Sequence, residues 1–222
     1  MHAERLPAGT LNRADARSNE RGGEVIQHID SHTSYLRISL ADPDDVSRLF
    51  DEAGTAENIV IDLRGYPKAG VGQQISSRLI DRPTPFVTYT FVDFNNPGAF
   101  WWSAPQSIEP AGKRFSGNVA LLVDENTVSA GEFTAMAIQA SPRVVTVGSE
   151  TAGADGNMSA IPIPGGFVAA MSGIGIFYPD GRPTQRVGIK IDILCKPTIE
   201  GIRSGRDEVL ECALDRLKGQ KQ

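Results

Sequence analysis

A serine placed where an apolar strand hands over to a helix is the first feature of this sequence that could do chemistry. Residues 118–139 read as such a unit: an apolar strand, a polar turn of Asp124, Glu125, Asn126 and Thr127, then Ser129, Ala130, Gly131 and Glu132 opening a helix. Unpaired N–H groups and the helix dipole favour negative charge at that point, which suits an alkoxide nucleophile and a tetrahedral oxyanion. The N–H of Ala130 is the natural first oxyanion donor. The same residues also fit a local capping box, Ser129 with Glu132 three positions on, which has no catalytic meaning. Thr127 stands where the nucleophile elbow of α/β-hydrolases needs glycine, so that fold is disfavoured.

Other polar segments follow apolar runs in the same manner. Asp62, Leu63, Arg64, Gly65, Tyr66, Pro67 and Lys68 close the run that starts at Asn58, and Glu150, Thr151, Gly153 and Gly156 follow the run that ends near Gly148. Further on come Tyr178, Pro179, Asp180 and Gly181, then Gly188, Ile189 and Asp192. Asp62 and Arg64 read as an ion pair that fixes a loop and does no chemistry itself.

The elements that must position these residues are strands alternating with helices. Strands are expected at Tyr35–Ser39, Asn58–Leu63, Phe86–Phe91, Val119–Val123, Val144–Val147, Gly166–Ser172, Ile174–Tyr178 and Gly188–Leu194. Helices are expected from an Asp42 N-cap with Pro43 at the first position to a stop at Gly54, along Val71, Ile75 and Leu79, over Ala130–Gln139, and over Asp207–Lys218. This alternation argues an α/β domain with mostly buried strands. Residues 93–117 read as a long irregular stretch whose Trp101 and Trp102 either line a groove or pin a surface loop.

With 222 residues and 40% hydrophobic content the chain can build one sizeable core. Residues 1–33 form a polar lead and the approach to the first strand, 34–219 the folded domain, and 220–222 a tail. The net charge of -5, without a basic stripe, argues against nucleic acid as partner. No segment has the roughly 20 apolar residues of a membrane span. Cys195 and Cys212 lack a CxxC spacing and read as small buried apolar residues. His28 and His32, spaced by four, read as exposed residues and not as a metal pair, and no cofactor or metal is expected.

The ordered set of segments from about residue 34 to 217 resembles the catalytic core of family S41 serine peptidases, which comprises the C-terminal processing (tail-specific) and tricorn-like enzymes. The resemblance implies a ClpP/crotonase-like α/β spiral with mixed sheets and flanking helices, a peptide or protein substrate, and Ser129 as nucleophile. It assigns the second oxyanion donor to the loop after Leu63, with Gly65 and Lys68 as candidates; Pro67 has no N–H to give. Where the processing branch has its lysine base this chain has Ala154, with Asp155 beside it. Where the tricorn-like branch has an acidic residue the chain has Gln185, which can orient a partner but carries no charge. The histidine of that branch lies upstream of the strand matched by Tyr35–Ser39, so the expectation is a fragment that lacks its base and an N-terminal helical region, with or without a PDZ-like module, and that is inactive alone. An oligomer is compatible with the resemblance, and a periplasmic or extracellular location rests on it alone. The competing reading is a ligand- or peptide-binding module on the same fold, since the family includes retinoid-binding proteins.

Overall fold

The computed structural model describes residues 19–53 and 56–219, so Gly54, His2 and the 220–222 tail lie outside the described residues. Its centre is a six-stranded sheet in the order β1 (Ile26–His28), β2 (Thr33–Arg37), β3 (Asn58–Asp62), β7 (Asn118–Val123), β8 (Val144–Gly148) and β12 (Ile193–Leu194). From β2 to β12 every pairing is parallel, and only β1 runs antiparallel to its neighbour. The central strands are apolar on both faces because helices cover both. Ile59, Ile61, Leu121 and Val123 face one cluster, packed with residues of α1 (Val46–Ala53), α2 (Val71–Ser77) and α3 (Ala130–Gln139). The alternate residues Val60, Ala120, Leu122 and Val147 face a second cluster, packed with Val209, Leu210, Ala213 and Leu217 of α5 (Glu208–Lys218). A short helix, α4 (Ile199–Arg203), precedes α5.

A second sheet stands beside the first, in the order β11 (Ile174–Phe177), β4 (Thr84–Val92) and β5 (Phe100–Trp102), with β6 (Gln106–Ile108) also on β4. A hairpin of β9 (Met158–Ile163) and β10 (Phe167–Ser172) projects from it as a separate two-stranded sheet with most residues exposed. No helix among the described residues is long and apolar enough to cross a membrane.

Most expected elements are present, with shifts that have physical causes. The first strand runs Thr33–Arg37 and gives way to a 3-10 turn at Ile38–Leu40. The helix after Asp42 opens as a 3-10 turn over Pro43–Asp45 before becoming α-helical at Val46. The expected strand Gly188–Leu194 shrinks to Ile193–Leu194, because the Asp192 carboxylate accepts the Thr146 N–H at 2.9 Å in place of a strand carbonyl. Residues 93–117 are less irregular than expected, since β5 and β6 both fold back onto β4. Trp101 stacks on Phe91 and Trp102 packs at a tilt against Phe177, yet each remains about half exposed, at 53% and 54%. Asn19 and Glu20 also pack on the domain, through Asp124 and Arg37 respectively, so part of the polar lead belongs to the fold.

The two cysteines correct the sequence reading. Cys195 and Cys212 form a disulfide that ties the segment after β12 to the middle of α5. Cysteines far apart in sequence character meet here because α5 packs across β7 and β8, and chain spacing alone does not reveal that. The bridge closes a loop with a separation of 17 residues. Replacing both cysteines by alanine is expected to lower the unfolding free energy by about 3 kcal/mol, read from urea transitions under oxidising conditions.

Candidate active site

The C-terminal ends of β3 and β7 lie side by side, Asp62 opposite Leu122. Both following loops therefore emerge at one edge of the sheet. The Thr127 hydroxyl in the turn after β7 donates to the Leu63 carbonyl at 3.1 Å, and both groups are buried. A Cβ on Gly131 would fall 3.9 Å from Pro67 Cδ, so the loop after β3 touches the first turn of α3. Lys68 follows Pro67, and its side chain points away to Asp42, with Nζ 2.8 Å from the carboxylate. Among the described residues neither the Lys68 nor the Ala130 backbone N–H has an acceptor. Gly65 instead packs on the Glu20 carboxylate, which leaves no room for a Cβ.

Ser129 is the N-cap of α3 with φ 54° and ψ -118°, one of two non-glycine residues with positive φ among the described residues. Such a backbone costs a serine about 1–3 kcal/mol and persists only where its surroundings impose it. The side chain is half-buried and makes no cap bond. The capping box is thereby excluded, and Glu132 shows why. Its carboxylate is fully buried and turns away from Ser129, accepting the Thr151 hydroxyl at 2.6 Å and the N–H groups of Gly153 and Ala154 at 2.8 Å each. Ala152 N–H donates to the Thr127 carbonyl at 3.0 Å, so the loop after β8 is pinned to the serine turn at both ends.

On the other side the Arg64 guanidinium sits between two carboxylates. It meets Asp62 at 2.5 Å and Asp207, the N-cap of α5, at 2.7 Å. Burial works against its charge, but the two ion pairs outweigh this and hold its pKa above the usual value. Tyr35 donates to Asp62 at 2.6 Å, and burial followed by the Asp62 charge pushes its phenol pKa up. The expected Asp62–Arg64 pair is therefore present and extends to the C-terminal helix. Asp207 had no sequence signal beyond its place as a helix cap.

Gln185 is half-buried, and its amide donates to the carbonyls of Asp155 and Ile174 at 2.9 Å each. Its neighbour Arg186 is the second residue with positive φ, 68°, held by its N–H bond to the Gly153 carbonyl at 2.7 Å. Asp155 is 3% exposed; Oδ1 accepts the Gly156 N–H at 2.7 Å, and Oδ2 has no partner among the described residues. Burial pushes its pKa up to about 7, against the Gly156 bond and with help from the nearby Glu132 charge.

The histidines lie elsewhere. His28 meets the Ser34 hydroxyl at 3.2 Å, and His32 pairs with Glu57 at 3.1 Å. His28 ends β1 and His32 immediately precedes β2, whose Thr33 stands opposite Asn58 at the start of β3, the edge opposite the Ser129 turn. Strands of this length separate the two edges by about 13–17 Å.

The family model for peptidase family S41 matches residues 32–195. A search of curated proteins finds no match. Among solved structures, a candidate peptidase from Parabacteroides merdae superposes with a TM-score of 0.76 at 18% identity, over 92% of this chain and 68% of that one. Mature CPAF in complex with lactacystin gives 0.69 at 15% identity, over 84% of this chain and 51% of its own. The photosystem II D1 C-terminal processing protease gives 0.53 at 20% identity, over 80% and 47%. The chain thus spans about half to two thirds of the length of these structures, and the likeness is one of mixed α/β fold.

The buried Asp155 carboxyl, satisfied at Oδ1 only, makes stability depend on pH. Its pKa is about 7 in the folded state against the ordinary 3.8, so its favourable contribution is complete below about pH 4 and lost as pH rises through 7. Asp155→Asn is expected to match the wild type in stability near pH 4 and to exceed it at pH 8 by an amount on the order of 2–4 kcal/mol. Urea unfolding of both proteins across that range measures the difference.

Proposed function

Because the chain belongs to peptidase family S41, we propose that it is the catalytic domain of a serine peptidase in which Ser129 attacks the peptide carbonyl. The observation that carries this reading is the Ser129 turn itself: a strained, half-buried serine without a cap bond, at the N-terminus of a helix that follows a core strand. In the proposed reaction the Ser129 hydroxyl loses its proton to a base as Oγ bonds to the carbonyl carbon. The N–H groups of Ala130 and of Lys68 then receive the oxyanion, and the peptide nitrogen leaves with a proton returned by the base. Lys68 is the better second donor, because the contact with the serine turn comes from the Pro67 end of its loop and Gly65 packs on Glu20.

The base is proposed to be a histidine outside the described residues. His28 and His32 stand at the opposite edge of the sheet, and Ala154 replaces a lysine base with a methyl group. Gln185 is assigned an orienting role: with both amide hydrogens held by carbonyls, its Oε1 is left to accept a hydrogen bond. A non-catalytic binding module is the alternative. The positive φ at Ser129 favours the peptidase, since a binding surface has no need of a strained serine. The disulfide fits an oxidising compartment such as the periplasm or cell exterior.

Two outcomes test the reading. In a protein that contains the upstream region, Ser129→Ala is expected to abolish peptide hydrolysis while changing stability by less than about 0.5 kcal/mol, since no cap bond is lost. Peptidase assay and thermal unfolding on the same sample separate this from a capping role. The 222-residue chain alone is expected to be folded but slow to label with a fluorophosphonate probe, with labelling of Ser129 raised by adding the upstream region. Rapid labelling of the chain alone would place the base within it.

A further inference from the structure

Between the second sheet and the loop after β8 lies an open cavity of about 830 Å³. Phe100, Trp102, Phe177 and Met171 form apolar walls, and Asp155 and Gln185 supply polar groups. Its loop wall continues directly from the serine turn, because Gly153 and Ala154 hang on the Glu132 carboxylate and Ala152 on the Thr127 carbonyl.

We propose that this cavity is a subsite for a basic side chain of a bound peptide, with the Asp155 carboxylate receiving the lysine ammonium or arginine guanidinium. The inference rests on the peptidase reading above and specifies its substrate.

The argument is a count of donors and acceptors. Both Gln185 amide hydrogens are spent on backbone carbonyls, so only its Oε1 remains, and that atom accepts. Oδ1 of Asp155 is occupied by Gly156, whereas Oδ2 is buried and unpaired. An unpaired buried carboxylate oxygen is costly, and a ligand that donates to it removes the cost. The hydroxyls of Thr90 and Ser172, also on the lining, can serve either way. The fixed polar groups are therefore acceptors, and they call for a ligand end that only donates. Ammonium and guanidinium groups are such ends. The aromatic walls suit the aliphatic stems behind them, and Trp102 offers a face for a cation. Asp155 is 3% exposed, so the ligand engages Oδ2 after a small rotation of the carboxyl toward the cavity it lines.

The charges around Asp155 agree with this assignment. Glu132 of α3 adds a second negative charge, and the Tyr89 phenol of β4 is held neutral by burial and then by Asp155 itself. Arg186 is the cation on the lining, but it is exposed and screened by water, whereas Asp155 is 3% exposed. With the Asp155 pKa at about 7, the carboxyl is largely protonated at pH 6 and largely ionised at pH 8. Affinity for a cationic side chain is thus linked to pH across that interval.

The test uses the 222-residue chain and end-blocked peptides identical except for one central residue: lysine, glutamine or norleucine. Binding is read by calorimetry and by tryptophan fluorescence, which Trp102 makes sensitive to occupancy of the cavity. The lysine peptide is expected to bind about tenfold or more tightly than the norleucine peptide at pH 8, and that preference should shrink about tenfold at pH 6 as the ionised fraction falls. Asp155→Asn, checked for native circular dichroism, should bind lysine and norleucine peptides alike at both pH values. Equal or tighter norleucine binding by the wild-type chain, a preference that survives Asp155→Asn, or no binding of any peptide overturns the subsite. The wild-type comparisons need no variant to fold. Because binding is measured and not hydrolysis, a Ser129 that labels with fluorophosphonate while no lysine preference is found removes the subsite and leaves the peptidase reading. A lysine preference beside a Ser129 that stays inert in a protein containing the upstream region does the reverse.

Discussion

The arrangement of the site depends on the parallel register of β3, β7 and β8. Asp62 stands opposite Leu122, and Val123 opposite Gly148, so three loops leave the sheet at one edge, each one strand spacing from the next. This register brings the loops that carry Lys68, Ser129 and Asp155 to the same edge. That register is held by burial on both faces, since a slip of one residue would exchange Ile59 and Ile61 for Val60 and present each to a cluster built for the other.

Buried charge then converts proximity into geometry. The Glu132 carboxylate takes three donors from the loop after β8, and the Arg64 guanidinium joins the loop after β3 to the cap of α5. Each is a charge withdrawn from water and satisfied by several partners, an arrangement in which removing one partner is costly and the loops have little freedom to shift. The positive φ of Ser129 and Arg186 flanks this framework: one residue caps the helix that carries Glu132, and the other bonds to the loop that Glu132 holds. The strain at Ser129 is thus supported by a rigid surrounding rather than by its own side chain.

Asp155 is the exception within this network. Its neighbours are satisfied, while one of its own oxygens is not, and it lines the cavity bounded by Trp102 and Phe177. Among the described residues other buried acids, such as Asp62 and Glu132, are paired, and the unsatisfied oxygen of Asp155 is the feature on which the proposed subsite rests.

The order of elements was legible in the sequence because it is written in local terms. Buried strands such as Asn58–Asp62 carry a continuous apolar run, here Ile59, Val60 and Ile61, and α3 appears as Ala130–Gln139 in both the sequence reading and the structure. Ser129 could be singled out from its place between strand and helix, and the Asp62–Arg64 pair from charges two residues apart. What pairs across the chain was not legible. Local spacing left Glu132 as a capping residue for Ser129, while the tertiary structure gave it to Thr151, Gly153 and Ala154 about twenty positions on. Cys195 and Cys212 looked like isolated apolar residues until α5 was packed across β7 and β8. Trp101 and Trp102 lay in an apparent loop that becomes a strand only through hydrogen bonds to β4. His28 and His32 read as exposed residues in the sequence, and the direction of β2 placed them at the far edge. Sequence by itself determined which segments would be buried and which residue types could do chemistry, because burial and residue type are properties of each stretch of chain. The tertiary structure decided which of them share hydrogen bonds and charge, because those interactions act over a few ångströms and depend on which distant segments the sheet brings into contact.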